Sequence, residues 1–306
     1  GTPVILKPSE KTPLTAILLT ELLYEAGLPH YMLSTLLGPT KEIAEPLVKD
    51  PRVDIVSFTG SVAVGKHIAS SVGYKKVILE LGGNDPLIIM EDADMDTAVH
   101  LAAEGSFRNS GQRCTAVKRI LIHEKIKDAF LEKFLEKAKT YTCGEPADPE
   151  TKVGTVIDEP AAIYLESVVN KAVEQGAKVL LGGKRNGALL EPTVIDNVPR
   201  NAQMIVQESF GPLAPILTFK DIDDAIALSN STAYGLSSGI VTHNMDYALR
   251  FIKELKVGTV NINEVPGYRI ESSPFGGIKD SGLGIKEGVI EAMKCFTYVK
   301  TFSLPW

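Results

Sequence analysis

Val53-Asp54-Ile55-Val56-Ser57-Phe58-Thr59-Gly60-Ser61 leads directly into a helical pattern, Val62 to Ser71, and then into Lys76-Val77-Ile78-Leu79-Glu80-Leu81-Gly82-Gly83. The apolar β-branched runs Val53–Phe58 and Lys76–Leu81 are expected strands, with a helix between them. Upstream, Val4–Leu6 is a further expected strand. Thr12 to Ala26 is a helix with Leu14, Ile17, Leu18, Leu22 and Leu23 at helical spacing, stopped by Gly27-Leu28-Pro29. Strand, helix, strand, helix, strand predicts an α/β chain with a doubly wound parallel sheet. A second cycle follows. Helices are expected at Met95–Asn109, Ile126–Lys139 and Ala161–Gln175. Strands are expected at Arg119–His123, Lys178–Leu181, Thr193–Val194, Pro215–Phe219, Ser238–Val241 and Thr259–Ile262, with an alternating strand over Phe296–Ser303 at the end.

The 306 residues suffice for two domains, and 44% apolar with 23% charged residues is globular composition rather than disorder. No apolar run approaches the roughly 18 residues of a membrane span. Lys plus Arg number 32 against 38 acids, a formal charge of −6, which argues against a nucleic-acid surface. Three cysteines, Cys114, Cys143 and Cys295, are too few and too scattered for a disulfide framework or a zinc site, so a reducing cytoplasm is expected. None of the histidines His30, His67, His100, His123 and His243 has metal-ligand spacing, so no metal is expected. Residue 1 is Gly, and the chain opens inside a strand. The expectation is a piece of something longer.

Four short stretches carry candidate chemistry. In Asn109-Ser110-Gly111-Gln112-Arg113-Cys114-Thr115, a cysteine in a loop or at a helix N-terminus beside Arg113 would have its pKa lowered toward a thiolate nucleophile. The alternative is a small buried core residue. Glu80 closes an apolar strand, and is either a desolvated general base or a solvated strand-end carboxylate. Phe58-Thr59-Gly60-Ser61, between strand and helix, is either a phosphate cradle or a capped turn. Lys7-Pro8-Ser9-Glu10 offers a cation and a carboxylate suited to an adenosine ribose, or is an ordinary polar turn. Neither G-x-G-x-x-G nor a Walker A sequence occurs.

These stretches, followed by Glu208-Ser209-Phe210-Gly211-Pro212 and Pro274-Phe275-Gly276-Gly277, occur in one order over essentially the whole chain. The series closely resembles the NAD(P)-dependent aldehyde dehydrogenase superfamily, which binds its dinucleotide without the glycine fingerprint. The resemblance implies two doubly wound α/β domains, the cofactor domain incomplete here, plus a C-terminal oligomerisation strand. Residues 1–82 would be the C-terminal part of the NAD-binding domain, 83–281 the catalytic domain, and 282–306 the C-terminal segment. Cys114 would attack the aldehyde carbon, with its backbone N–H as half of the oxyanion hole, and Glu80 would activate the water that hydrolyses the thioester. Lys7, Ser9 and Glu10 would hold the adenosine ribose, Gly60 and Ser61 the pyrophosphate, and Leu81, Gly82, Glu208 and Phe210 the nicotinamide end. The carboxylate at position 10 favours NAD, with NADP as the alternative. The superfamily's second oxyanion donor, an asparagine side chain, lies upstream of Lys7 and is not in this chain. The expectation is therefore that the 306 residues alone are crippled.

Arg113, Thr115, Arg269 and Phe275 would line the substrate site. Arg113 and Arg269 together would suit an anionic aldehyde unless neighbouring carboxylates, Glu271 for Arg269, neutralise them. The wording around Cys114 and over Asn263–Gly282 is most similar to phosphonoacetaldehyde dehydrogenases, with non-phosphorylating glyceraldehyde-3-phosphate and lactaldehyde dehydrogenases as alternatives. A non-catalytic relative is the competing class, and retention of both Cys114 and Glu80 argues against it. A homodimer or homotetramer is expected.

Overall fold

The computed structural model describes residues 1–285 and 287–306. Its chain divides into two compact units, residues 1–57 with 63–77, and 58–62 with 78–306.

The first unit carries β1 (Val4–Leu6), α1 (Leu14–Glu25), β2 (Leu33–Thr35), α2 (Thr40–Lys49) and α3 (Val62–Ser71). β1 and β2 pair in parallel, Val4 opposite Leu33. β3 (Ile55–Thr59) and β4 (Lys76–Glu80) pair with each other, and each ends in the second unit. The strand–helix alternation is therefore present, but as separate two-stranded pairs, with β2 and α2 standing between the expected elements. Pro46 inside α2 conceals that helix from a periodicity reading.

The second unit is built on a seven-stranded sheet of order β13-β12-β5-β6-β11-β10-β7. Its strands are β5 (Pro86–Ile89), β6 (Arg119–His123), β7 (Lys178–Leu181), β10 (Thr193–Asp196), β11 (Leu213–Phe219), β12 (Ser237–Val241) and β13 (Thr259–Ile262). All neighbours run parallel except the β7–β10 edge, which is antiparallel. A small hairpin, β8 (Arg185–Asn186) with β9 (Leu189–Leu190), lies outside this sheet. The helices are α4 (Met95–Phe107), α5 (Lys127–Lys139), α6 (Glu159–Glu174), α7 (Gln203–Val206), α8 (Ile222–Asn230), α9 (Met245–Glu254) and α10 (Val289–Cys295).

Both faces of the sheet are covered by apolar clusters, one including Ile88, Leu121 and Leu217, the other Leu87, Ile120 and Ile216. Odd and even residues of β5 and β6 thus feed opposite cores, as strand pleating requires. β5, which the sequence pattern concealed, is buried at every residue. The strand expected over Phe296–Ser303 is not formed: α10 ends at Cys295, and residues 297–306 belong to no helix or strand. An alternating pattern becomes a strand only beside a neighbour that accepts its ladder. Among the described residues, no helix is long and apolar enough to cross a membrane.

Candidate active site

Segments leading into four parallel strands converge at one edge of the large sheet. Gly83 to Asp85 precede β5, Cys114 to Lys118 precede β6, Glu208 to Pro212 precede β11, and Tyr234 to Leu236 precede β12. These are the amino ends of the strands, whereas open α/β sheets commonly place ligands at the carboxyl ends. Glu80 stands instead at a carboxyl end, that of β4.

The thiol loop begins where α4 ends. Asn109, Ser110 and Gly111 follow with φ of 54°, 53° and 67°, a left-handed run that costs each non-glycine residue about 1–2 kcal/mol. Side-chain anchors offset that cost. Ser110 Oγ donates to the Gly154 carbonyl at 2.9 Å, and Gln112 Oε1 accepts the Ile157 N–H at 2.8 Å. A side chain at Gly111 would collide with the Gly211 carbonyl, so the loop is seated on the segment before β11.

Cys114 sits in a β-turn, closed by the Ala116 N–H on the Arg113 carbonyl at 3.2 Å. It is not at a helix N-terminus. No helix dipole acts on it, and burial, then Asp85, push the thiol pKa up rather than down. Lys118 is the cation that opposes them, and the Thr115 N–H also favours the thiolate. Arg113 is anchored to the preceding helix. Its guanidinium turns to the last-turn carbonyls of α4, Glu104 at 3.2 Å and Gly105 at 3.0 Å, while its buried Nε has no hydrogen-bond partner.

Lys118 is the group the sequence reading missed. It is 1% exposed, donates through Nζ to the Arg113 carbonyl, stands 3.5 Å from Glu208 Oε1 and lies 5.4 Å over the Phe210 ring. Glu208 also accepts the Gly83 N–H at 3.3 Å, and a side chain on Gly82 would strike its other oxygen. Burial raises the Glu208 carboxyl above its ordinary range against the pull of Lys118. Asp85, fully buried, accepts the Ser237 N–H at 3.2 Å with Oδ1 and nothing with Oδ2. Its pKa is driven well up by burial. Arg119 is structural: its guanidinium is spent on the carbonyls of Asn84, Leu228 and Ser229 at 2.9, 2.9 and 3.1 Å. The available signal was a Lys-Arg pair between the apolar runs Ala116-Val117 and Ile120-Leu121-Ile122, where cations are seldom tolerated without a task.

Glu80 is 7% exposed, so the solvated strand-end reading fails. Its carboxylate lies against Gly276, and the following backbone is tied by the Leu81 N–H to the Ser281 carbonyl at 3.0 Å and by Ser281 Oγ to the Gly82 carbonyl at 2.7 Å. Thr115 packs against Gly267, in a loop held by two side chains: Asn261 Nδ2 is shared among the carbonyls of Val265, Pro266 and Tyr268 at 3.1, 3.0 and 3.0 Å, and Ser237 Oγ donates to the Pro266 carbonyl. Phe275 is buried, and Arg269 lies 4.6 Å over its ring with Glu287 at 3.5 Å. Its acidic partner is thus Glu287, not the Glu271 that sequence proximity suggested.

In the first unit, Lys7 and Glu10 meet on Thr40, the first residue of α2. Glu10 Oε1 accepts the Thr40 N–H and Oγ1 at 2.5 and 2.6 Å, and Lys7 Nζ stands 3.0 Å from the same hydroxyl. These bonds hold the Glu10 carboxyl below its ordinary range. Ser9 Oγ accepts the Lys11 N–H at 3.3 Å. In the second unit, the Gly60 N–H donates to the Glu80 carbonyl at 3.1 Å, and Ser61 immediately precedes α3.

Comparison with known proteins places this arrangement in context. Residues 1–302 match the model of the aldehyde dehydrogenase family. A sulfoacetaldehyde dehydrogenase of Neptuniibacter caesariensis is 38% identical over 98% of this chain and 66% of its own length. A 3-sulfolactaldehyde dehydrogenase of Priestia aryabhattai is 42% identical over 94% of this chain and 60% of its own. Among solved structures, an NAD-dependent aldehyde dehydrogenase from Sinorhizobium meliloti superposes with a TM-score of 0.94 at 37% identity, covering 99% of this chain and 62% of that one. A GapN glyceraldehyde-3-phosphate dehydrogenase from Methanocaldococcus jannaschii, complexed with NADP, gives 0.93 at 39%, covering 97% and 65%. The chain therefore spans less than two thirds of the length of these relatives.

Proposed function

Because the chain belongs to the aldehyde dehydrogenase family, we propose that it is the catalytic part of an NAD(P)-dependent dehydrogenase of small anionic aldehydes, phosphonoacetaldehyde first among them. The observation that carries this reading is Arg113, a partly buried cation one residue from the thiol whose guanidinium is bonded to backbone carbonyls and has no carboxylate within ion-pair distance among the described residues. A guanidinium without a counter-charge is costly to bury, and a phosphonate or sulfonate bound beside it would supply one. The similar proteins named for sulfonated aldehydes support the anionic class.

The residues divide the work as follows. The Cys114 thiolate forms a C–S bond to the aldehyde carbon, and the negative charge moves to the aldehyde oxygen. The Cys114 N–H, which has no acceptor among the described residues, is available to that oxygen. A bound nicotinamide supplies the acceptor for the hydride that leaves the carbon. Glu80 then takes a proton from the water that adds to the resulting thioester, and the C–S bond breaks to return the thiolate. The chain fits such a cofactor: the missing side chain at Gly82 lets the Glu208 carboxylate seat against the backbone there, and Phe210 is held at φ 50° and is 45% exposed. Leu81, Gly82, Glu208 and Phe210 would hold the nicotinamide end, Gly60 and Ser61 the pyrophosphate, and Lys7, Ser9 and Glu10 the adenosine ribose. The Glu10 carboxylate favours NAD over NADP. Residues 1–82 would belong to the cofactor domain and 83–281 to the catalytic domain. Residues 282–306, with Tyr298, Val299, Phe302 and Trp306 exposed, would join copies into a homodimer or homotetramer.

The test is NADH formation with phosphonoacetaldehyde, sulfoacetaldehyde, lactaldehyde and acetaldehyde side by side. A kcat/KM for phosphonoacetaldehyde at least tenfold above that for acetaldehyde is expected. Equal values would overturn the anionic class, and a preference for sulfoacetaldehyde would overturn the phosphonate assignment alone.

A further inference from the structure

Lys118, at 1% exposure, is a rare and expensive placement for a lysine. Its backbone N–H belongs to the sheet edge, donating to the Asp85 carbonyl at 3.0 Å, but its side chain runs back to the thiol turn. There Nζ donates to the carbonyl of Arg113. That carbonyl and the Cys114 N–H are the two ends of one peptide unit. The only other donor on the carbonyl among the described residues is the neutral Ala116 N–H at 3.2 Å, while the N–H end has no acceptor.

We propose that Lys118 is a positioning residue that fixes and polarises the Arg113–Cys114 peptide, strengthening the Cys114 N–H as the donor to the oxyanion that forms on the substrate. A cation on an amide oxygen draws electron density out of the nitrogen, and the N–H becomes the better donor. Such polarisation is largest where water is excluded and the bond is charge-assisted, and both conditions hold here. Glu208 at 3.5 Å and the buried Asp85 face the ammonium and supply its counter-charge, and the Phe210 ring covers it. Burial lowers the Lys118 pKa, and these carboxylates, with Cys114, oppose that fall. The proposal rests on the reading of Cys114 as nucleophile.

The competing explanation is that Lys118 merely neutralises Glu208 and Asp85, or acts on the thiol pKa. Two reactions of the same sulfur separate these. Alkylation by iodoacetamide displaces iodide and builds no oxyanion, whereas acylation by p-nitrophenyl acetate does, and neither needs a dinucleotide. Both rates would be measured against pH, to their plateaus, for wild type, Lys118→Met, Lys118→Arg and the double variant Lys118→Met with Glu208→Gln, which leaves no unpaired carboxylate at position 208. Lys118→Met and the double variant should acylate about tenfold more slowly, less than the 10²–10³ lost when an oxyanion donor is itself removed. Their plateau alkylation should stay within about twofold of wild type, and Lys118→Arg should recover part of the acylation rate. Equal slowing of both reactions, or no slowing of acylation, would overturn the proposal. If Cys114→Ala leaves alkylation and acylation as they were, the nucleophile assignment itself falls.

Discussion

Two of the lysine–glutamate pairs have nearly the same separation and opposite settings. Lys7 and Glu10 stand 4.0 Å apart with side chains 14% and 48% exposed, while Lys118 and Glu208 stand 3.5 Å apart at 1% and 15%. In the first pair Thr40 fixes the carboxylate, and water screens most of the attraction. In the second, the same Coulomb interaction is about fourfold larger for an effective dielectric near 20 instead of 80, and each partner's charge depends on the other. The sequence motif announces the exposed pair, because both members lie within four residues. The buried pair joins residues 90 positions apart, and only the fold discloses it.

Replacing Cys114 by Ala has the largest expected effect: turnover should fall by on the order of 10³-fold or more, and iodoacetamide labelling should lose its fastest site. Next comes the pair comparison itself. Lys118→Met should lower the unfolding free energy by roughly 3–5 kcal/mol, because Glu208 is left buried without its counter-ion. Lys7→Met should leave the urea midpoint where it is. Equal losses would erase the distinction between the two pairs.

The pH dependence of stability should also differ in sign. Asp85 and Glu208 are raised, so the folded chain holds protons there that the unfolded chain releases. Stability from these groups is full below the ordinary carboxylate range and falls as the pH rises toward their raised values. Glu10 is lowered, so its contribution is present above that range and is lost as the pH falls. Urea midpoints from about pH 4 to about pH 8 should decline less in Asp85→Asn than in wild type. An unchanged slope would mean that Asp85 is not the proton holder. The smallest effect belongs to the exposed pair: Glu10→Gln should lower the KM for NADP by up to about tenfold relative to that for NAD, as a single lost repulsion allows. No change in that ratio would remove Glu10 from cofactor choice.

Much of the fold was legible because β6, β7, β13 and α3 carry their periodicity on the surface of the sequence. Other elements were hidden for separate physical reasons. β5 opens with proline directly after Gly-Gly-Asn-Asp and is uniformly buried, so it shows no alternation. α8 and α9 do carry caps, the Asp221 side chain on the Asp224 N–H and Asn244 on those of Asp246 and Tyr247, and attention to those residues would have found them. Cys114 and Glu80 drew attention as candidates through their flanks. Lys118 was not, because a lysine is assumed to reach water, and the residue that would have corrected the assumption, Glu208, belongs to a different strand entry.

The seat of Gly111 has a consequence for biosynthesis. It is built from Gly211 and Pro212, so the thiol turn acquires its shape only after synthesis has passed β11 and that strand has docked on β6. Until then Cys114 is an ordinary cysteine in an unfolded chain, without the Glu208 and Phe210 surroundings of its lysine. The order of manufacture thus keeps the Cys114 turn without its seat in the nascent polypeptide until residues 211 and 212 have been made.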